Sequence, residues 1–366
     1  MEPVWLLDPY GDWSAKEGVP VYEGLAVQLR DLATQPWARM GVKGALIHLE
    51  ARGDFLNALL LEIPPAGKTN PLRHLYEEVT YVVEGRGSTE FVVSSGERRS
   101  FEWGPGSLFA IPLNVEHRHF NGSGKSSALM VSVTTLPIMM NLFRNEDFIF
   151  KNDANFAERL GTRDYFEGEG TFIPVREHRN MWETNFVPDL LGFEHMTESP
   201  SRGTGSLNIM FILAEGTMHA HMSEIAPGSY KKGHRHPPDF HIVQLSGSGY
   251  SLYWRAGDKD FQRVDWKNGL MHAPPDQMYH QHFNTGPGPA RYLAMALGSQ
   301  RYPFTNAKRQ VKLRDYRVKV NDWQIEYEQE DPRIPRMFAE ELAKNGVSPR
   351  PDFAPLAAPR ASTPSS

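Results

Sequence analysis

The chain has 366 residues, 39 Lys and Arg against 44 Asp and Glu, a formal net charge of −5, and no cysteine. That balance carries no electrostatic footprint for nucleic acid or an anionic membrane surface. The missing cysteines exclude disulfides, thiolate ligands and a cysteine nucleophile, so a metal centre would have to use His, Asp or Glu. No apolar run reaches 18 residues, and an acid stands where a signal peptide carries basic residues, so a cytoplasmic protein without a membrane span is expected.

Residues 1–45 read as an N-terminal arm ahead of an internal repeat, and the repeat decides the fold. At a constant offset of 162, Glu62, Ile63 and Pro65 fall on Glu224, Ile225 and Pro227, and His74 falls on His236. The same offset sets Gly85 and Gly87 on Gly247 and Gly249. One inserted residue later, Trp103 meets Trp266, Gly106 meets Gly269, and His117-Arg-His-Phe-Asn121 meets His280-Gln-His-Phe-Asn284. Each copy reads as short strands, at 78–84 and 88–93 in the first and 241–246 and 250–254 in the second, separated by Gly-containing turns. Such spacing suits a small antiparallel barrel or sandwich. The pattern predicts a first barrel over 46–136, a linker over 137–205 with a short helix near 155–160, and a second barrel over 206–300. A C-terminal extension over 301–348 should contain a helix at 332–346 that stops at Gly346. The tail 349–366, rich in Pro, Ala and Ser, is expected to be disordered.

The phrase Gly233-His-Arg-His236 sets two imidazoles two residues apart, on one face if the segment is a strand. A paired strand can add His280 to the same point, and three neutral nitrogens suit Fe, Mn, Ni, Cu or Zn with coordination positions left open. The bland alternative is a set of core histidines satisfied by backbone carbonyls. His219 and His221 share a face and either line the pocket or fill a structural role. His119 and His282 share the parity of His117 and His280 and are candidates for supporting hydrogen bonds. Trp103 and Trp266 read as packing residues, and the pair Lys231-Lys232 reads as solvated surface. No phosphate loop, dinucleotide fingerprint or serine-hydrolase elbow is present.

At these residues the sequence resembles the cupin superfamily. Gly233, His234, His236 and Gly247 match its first motif in the second repeat, and Pro275, His280 and Asn284 match its second. In the first repeat His74, Glu78, Gly85, Pro112, His117 and Asn121 match. The resemblance covers about residues 55–135 and 218–298 and implies an all-β chain of two tandem cupin (jelly-roll) barrels with an N-terminal arm and a short C-terminal helix. It departs from the family twice. Leu72 replaces the first His of repeat one, leaving His74, Glu78 and His117 as a second metal site or as its vestige. In repeat two Phe240 replaces the acid, and the neighbouring His241 is either a fourth ligand or a residue facing elsewhere. The likeness to gentisate-dioxygenase-type bicupins implies a non-haem Fe(II) dioxygenase acting on a small organic, and conceivably aromatic, substrate with dioxygen. The alternatives are a non-oxidative lyase, isomerase or decarboxylase using another divalent ion, and a small-molecule-binding bicupin without catalysis. A homo-oligomer is expected, since cupins often pair edges.

Overall fold

The structure is a computed structural model that describes residues 6–50, 55–93, 95–236, 240–299, 301–302 and 323–353. Two copies of one strand order make it an all-β, jelly-roll molecule. In the first, Val42–Leu49, Asn57–Ile63, Ala128–Thr134, Glu78–Glu84 and Leu108–Phe109 pair in that order, facing a sheet of His117–Asn121, Gly87–Val92 and Arg98–Trp103. In the second, Ser206–Leu213, Met218–Ile225, Ala290–Leu297, His241–Ser246 and Leu270–His272 follow the same order. They face Ser229–Tyr230, Tyr279–Asn284, Gly249–Trp254 and Gln262–Asp265.

The repeated glycines explain themselves at the repeated turns. Gly85 and Gly247 have φ of 88° and 87°, a region L-residues rarely adopt. A Cβ on Gly87 or Gly249 would lie 2.0 or 1.9 Å from the carbonyl oxygen of Phe120 or Phe283. The repeated asparagines tie the end of the strand to the next turn. The Asn121 amide donates to the Ile63, Pro64 and Ser126 carbonyls, and the Asn284 amide donates to those of Ile225 and Gly288.

Strand alternation divides the core in two directions. From Asn57–Ile63, Leu59, Leu61 and Ile63 fill the first barrel together with Leu46, Val82 and Met130. Ala58 and Leu60 face outward, and so do Val79, Val131 and Val133. They meet Ile209, Phe211, Met222, Val243 and Leu293 of the second barrel in one apolar layer that binds the halves together.

Both termini bind the barrels more widely than expected. The helix Pro9–Glu17 sets Tyr10 and Trp13 into the first barrel's core. Val21–Gly24 then pairs with Val42–Leu49, while Ala26–Gln28 pairs with Leu270–His272 of the second barrel. The arm therefore adds a strand to each sheet instead of covering one barrel. In the linker, the segment near 155–160 forms a 3-10 turn, Ala157–Leu160, and Thr171–Arg176 with Arg179–Thr184 extends the second barrel's sheet. The C-terminal helix runs Arg333–Asn345 and ends at Gly346 in the left-handed conformation. Of the expected disordered tail, residues 349–353 are ordered, because Phe353 is fully buried against Tyr230, Phe338 and Tyr327. Residues 354–366 lie outside the described residues.

The carboxylate of Glu77 also ties the halves together. Glu77 accepts from Arg159 at 2.7 Å, and its other oxygen accepts from the Thr217 amide at 2.7 Å, the Thr217 hydroxyl at 2.6 Å and the Met218 amide at 3.2 Å. Among the described residues no helix is long and apolar enough to cross a membrane.

Candidate metal centres

In the second barrel the ligand atoms of His234, His236 and His280 lie within 4.8 Å of one another. Ring centroids are 4.2 Å apart for His234 and His280 and 4.6 Å for His236 and His280. The segment carrying the first two is a loop joined to the strand Tyr279–Asn284 by one isolated bridge, His234 with His280, and not the regular strand assumed from the spacing. The convergence survives because that bridge aligns the loop with the strand. The Nδ1 of His234 is 3.1 Å from the Lys232 carbonyl oxygen, and that of His280 is 3.3 Å from the Met278 carbonyl oxygen. A carbonyl only accepts, so Nδ1 carries the proton and Nε2 keeps its lone pair toward the centre, the tautomer a metal requires. Burial holds His234 and His280 well below the ordinary imidazole range, so both are neutral donors at neutral pH.

His241 is outside this set. It is fully buried on His241–Ser246, beside Ile242, which lines the cavity under the three histidines. It pairs with Met295 as Val79 pairs with Val133, so it occupies the place of Val79 and faces the inter-barrel layer. Phe240 takes the place of Glu78, with its ring 4.3 Å from His236. Strand parity thus matches the second of the two readings of His241, a residue that faces elsewhere.

In the first barrel His74, Glu78 and His117 also converge within 4.8 Å. Their Nε2 atoms lie 3.8 and 3.9 Å from the two Glu78 oxygens, and both are buried with no hydrogen-bond partner. Nδ1 of His74 donates to the Tyr76 carbonyl and that of His117 to the Val115 carbonyl, each at 2.9 Å. Two orphaned lone pairs beside a buried carboxylate form a donor set that fits a divalent ion. Burial pushes Glu78 up to about 7, while burial foremost takes His74 down to about 3 and His117 to about 4. Leu72 bridges to His117 where His234 bridges to His280, so the missing imidazole is a substitution in an unchanged backbone.

The two centres differ in what surrounds them. Tyr76 stacks on His74 with centroids 3.6 Å apart, and the first barrel is otherwise filled by apolar side chains. The second has a cavity of about 250 Å³, open on one side, under its histidines. His219, His221 and Ser223, at the places of Asn57, Leu59 and Leu61, line it along with Lys231 and Tyr292. Nε2 of His219 lies 2.7 Å from Nδ1 of His221, and burial foremost lowers His219 to about 3. Neither Lys231 nor Lys232 is solvated surface. Lys231 is 4% exposed, and Lys232 bonds to Glu326 of the C-terminal segment at 2.8 Å.

His119 and His282 turn their Nδ1 atoms to Thr89 and Ser251, both at 2.8 Å, and those hydroxyls also accept from Trp103 and Trp266 at 3.0 and 2.9 Å. The repeated tryptophans thus do more than pack. They anchor the hydroxyls that orient the histidine two residues beyond His117 and His280. His272, which offered no sequence pattern, is bonded through Nδ1 to the Tyr253 hydroxyl. No periodicity would have revealed that pair.

The family model described as Cupin domain matches residues 59–134. Residues 59–134 are thus a cupin domain, and the second barrel repeats that unit in sequence register and strand order. Similar solved structures include two mutants of Bacillus subtilis oxalate decarboxylase, at 16% and 15% identity, each with a TM-score of 0.47, covering 79% of this chain and 83% of the other. A further structure of that enzyme, in work on its Mn(II) centres, matches at 16% identity with a TM-score of 0.47, covering 81% of this chain and 86% of the other. No curated protein matches the sequence.

Proposed function

We propose that the chain is a metal-dependent enzyme whose reaction runs in the second barrel, at His234, His236 and His280, on a small molecule held in the cavity beneath them. The reading favoured here is non-oxidative, of the lyase or decarboxylase kind. The observation that carries it is the neutral, hydrogen-bonded pair His219 and His221 in the wall of the same cavity. A divalent ion held by three neutral imidazoles would act as a Lewis acid and keep positions open for substrate. His219 and His221 present a hydrogen-bond donor and an acceptor that can orient a substrate's polar groups beside the ion. Phe240, Met210 and Ile242 form the apolar wall that limits water. In the first barrel His74, Glu78 and His117 are proposed to hold a structural ion, because Tyr76 covers the centre and apolar packing leaves a substrate little space.

The second reading is a ferrous dioxygenase, and it is favoured by the all-imidazole donor set, which lacks a carboxylate. One experiment separates the two. Metal per chain is measured for wild type and His236→Ala, and turnover of small organic substrates is followed with simultaneous dioxygen recording. Product formed without dioxygen uptake, and lost with the metal in His236→Ala, is the expected result. Uptake stoichiometric with product would replace the first reading with the second. Equal metal content in both proteins would remove the second-barrel centre altogether.

A further inference from the structure

We infer that Lys231, with Tyr292, forms the recognition site for the carboxylate of a small organic acid inside the second barrel. The inference rests on the reading of this cavity as a substrate site and adds the substrate's chemical class. Lys231 is 4% exposed, lines the cavity, and donates from Nζ to the Tyr292 hydroxyl at 2.8 Å. Among the described residues no carboxylate pairs with it. A buried ammonium whose hydrogen-bond partner is one neutral hydroxyl is costly to keep, and an incoming anion removes that cost. Since the Tyr292 oxygen accepts from Lys231, its own proton is free to point at the same anion.

The other charged side chains of the wall have the same sign. Arg179 and Arg202 also line the cavity, and no acidic residue does so among the described residues. The first barrel shows that this is a choice made on a common backbone. Lys231 stands where repeat one has Thr69, and Tyr292 where it has Met130, and there the space is closed by Leu59, Leu61 and Met130.

Position sets how far apart the acid's two polar ends lie. The Lys231 amide bonds to the His282 carbonyl and the His234 amide to the His280 carbonyl, so the ammonium branches from the chain opposite His282. His280 and His282 are two residues apart on one strand face, a separation of roughly 7 Å. The cavity of about 250 Å³ has room for a small organic molecule. Together these describe a compact acid whose carboxylate meets Lys231 while its other polar end lies under His234, His236 and His280.

The test uses the full-length, metal-loaded protein and measures calorimetric binding of acetate, malonate and benzoate, each against its neutral amide, with inorganic phosphate as a further probe. At least one acid should bind tenfold or more tightly than its amide. Lys231→Met should weaken that acid at least tenfold without changing metal content, and should do the same in a His236→Ala background. Unchanged affinity in Lys231→Met, equal binding of acid and amide, tighter binding of phosphate than of every acid, or no binding by the panel would each overturn the inference. Should Lys231→Met fail to fold, Lys231→Arg must retain the preference for acid over amide, and loss of that preference overturns the inference equally. Failure of the metal reading appears elsewhere, as unchanged metal content in His236→Ala.

Discussion

Replacing Glu78 by Gln should change the stability of the protein in opposite directions with and without metal. In metal-free protein, burial holds the Glu78 carboxyl at about 7 against 4.5 for an exposed one. A carboxyl that binds its proton more tightly when folded destabilises the fold once it ionises. That penalty is absent below pH 4.5, grows as the pH rises from 4.5 to about 7, and is complete above 7. The gap of about 2.5 between the two values, at about 1.4 kcal/mol per tenfold, is worth about 3 kcal/mol. Glu78→Gln keeps the shape and removes the charge, so chelator-treated Glu78→Gln should exceed wild type by about 3 kcal/mol at pH 8 and equal it at pH 4.5. With a divalent ion the order should reverse at pH 8, since the ionised carboxylate becomes a ligand and the amide is a poor substitute. The assay is the urea midpoint of the first unfolding transition, by tryptophan fluorescence, with chelator and with manganese or zinc. A Glu78→Gln protein less stable than wild type in chelator at pH 8, or a metal-induced gain equal in both proteins, would refute the reasoning.

Leu72→His should complete the first-barrel ligand set, because residue 72 bridges to His117 as residue 234 bridges to His280. Bound metal in that barrel should then resist chelator longer than in wild type, measured by metal release over time. Gly249→Ala would push a methyl to within 1.9 Å of the Phe283 carbonyl oxygen, and since backbone must move the cost should be about 2–3 kcal/mol. Thermal melting checks this, and Gly288→Ala, where a Cβ meets nothing within 4 Å, is the control.

Much of this architecture is legible in the sequence because the repeat preserves residues whose roles are geometric. Gly85 and Gly247 mark one turn, Asn121 and Asn284 one tether, and His117 and His280 one strand position, so the two barrels and the ligand positions His236 and His280 follow from register, while His234 is read from its place two residues before His236. His241 was ambiguous because the family tolerates either spacing, and only the pairing of residue 241 with Met295 shows which face it takes. Lys231 is hidden for a different reason. Two adjacent lysines resemble surface in any local pattern, whereas their burial comes from Tyr292 and the C-terminal segment, 61 and 94 residues away in sequence. The cavity was equally invisible, because the replacement of Leu59 and Leu61 by His221 and Ser223 has meaning only once the strand's inward face is known.

The bonds of Glu77 give the two compartments a common hinge pin. Its backbone neighbour Glu78 belongs to the first centre, and the amide it holds, that of Met218, immediately precedes His219 in the wall of the second cavity. Glu78 and His219 are therefore connected through one carboxylate and two peptide bonds. The duplicated halves are in this way fastened to one side chain, a fixed point that both compartments share.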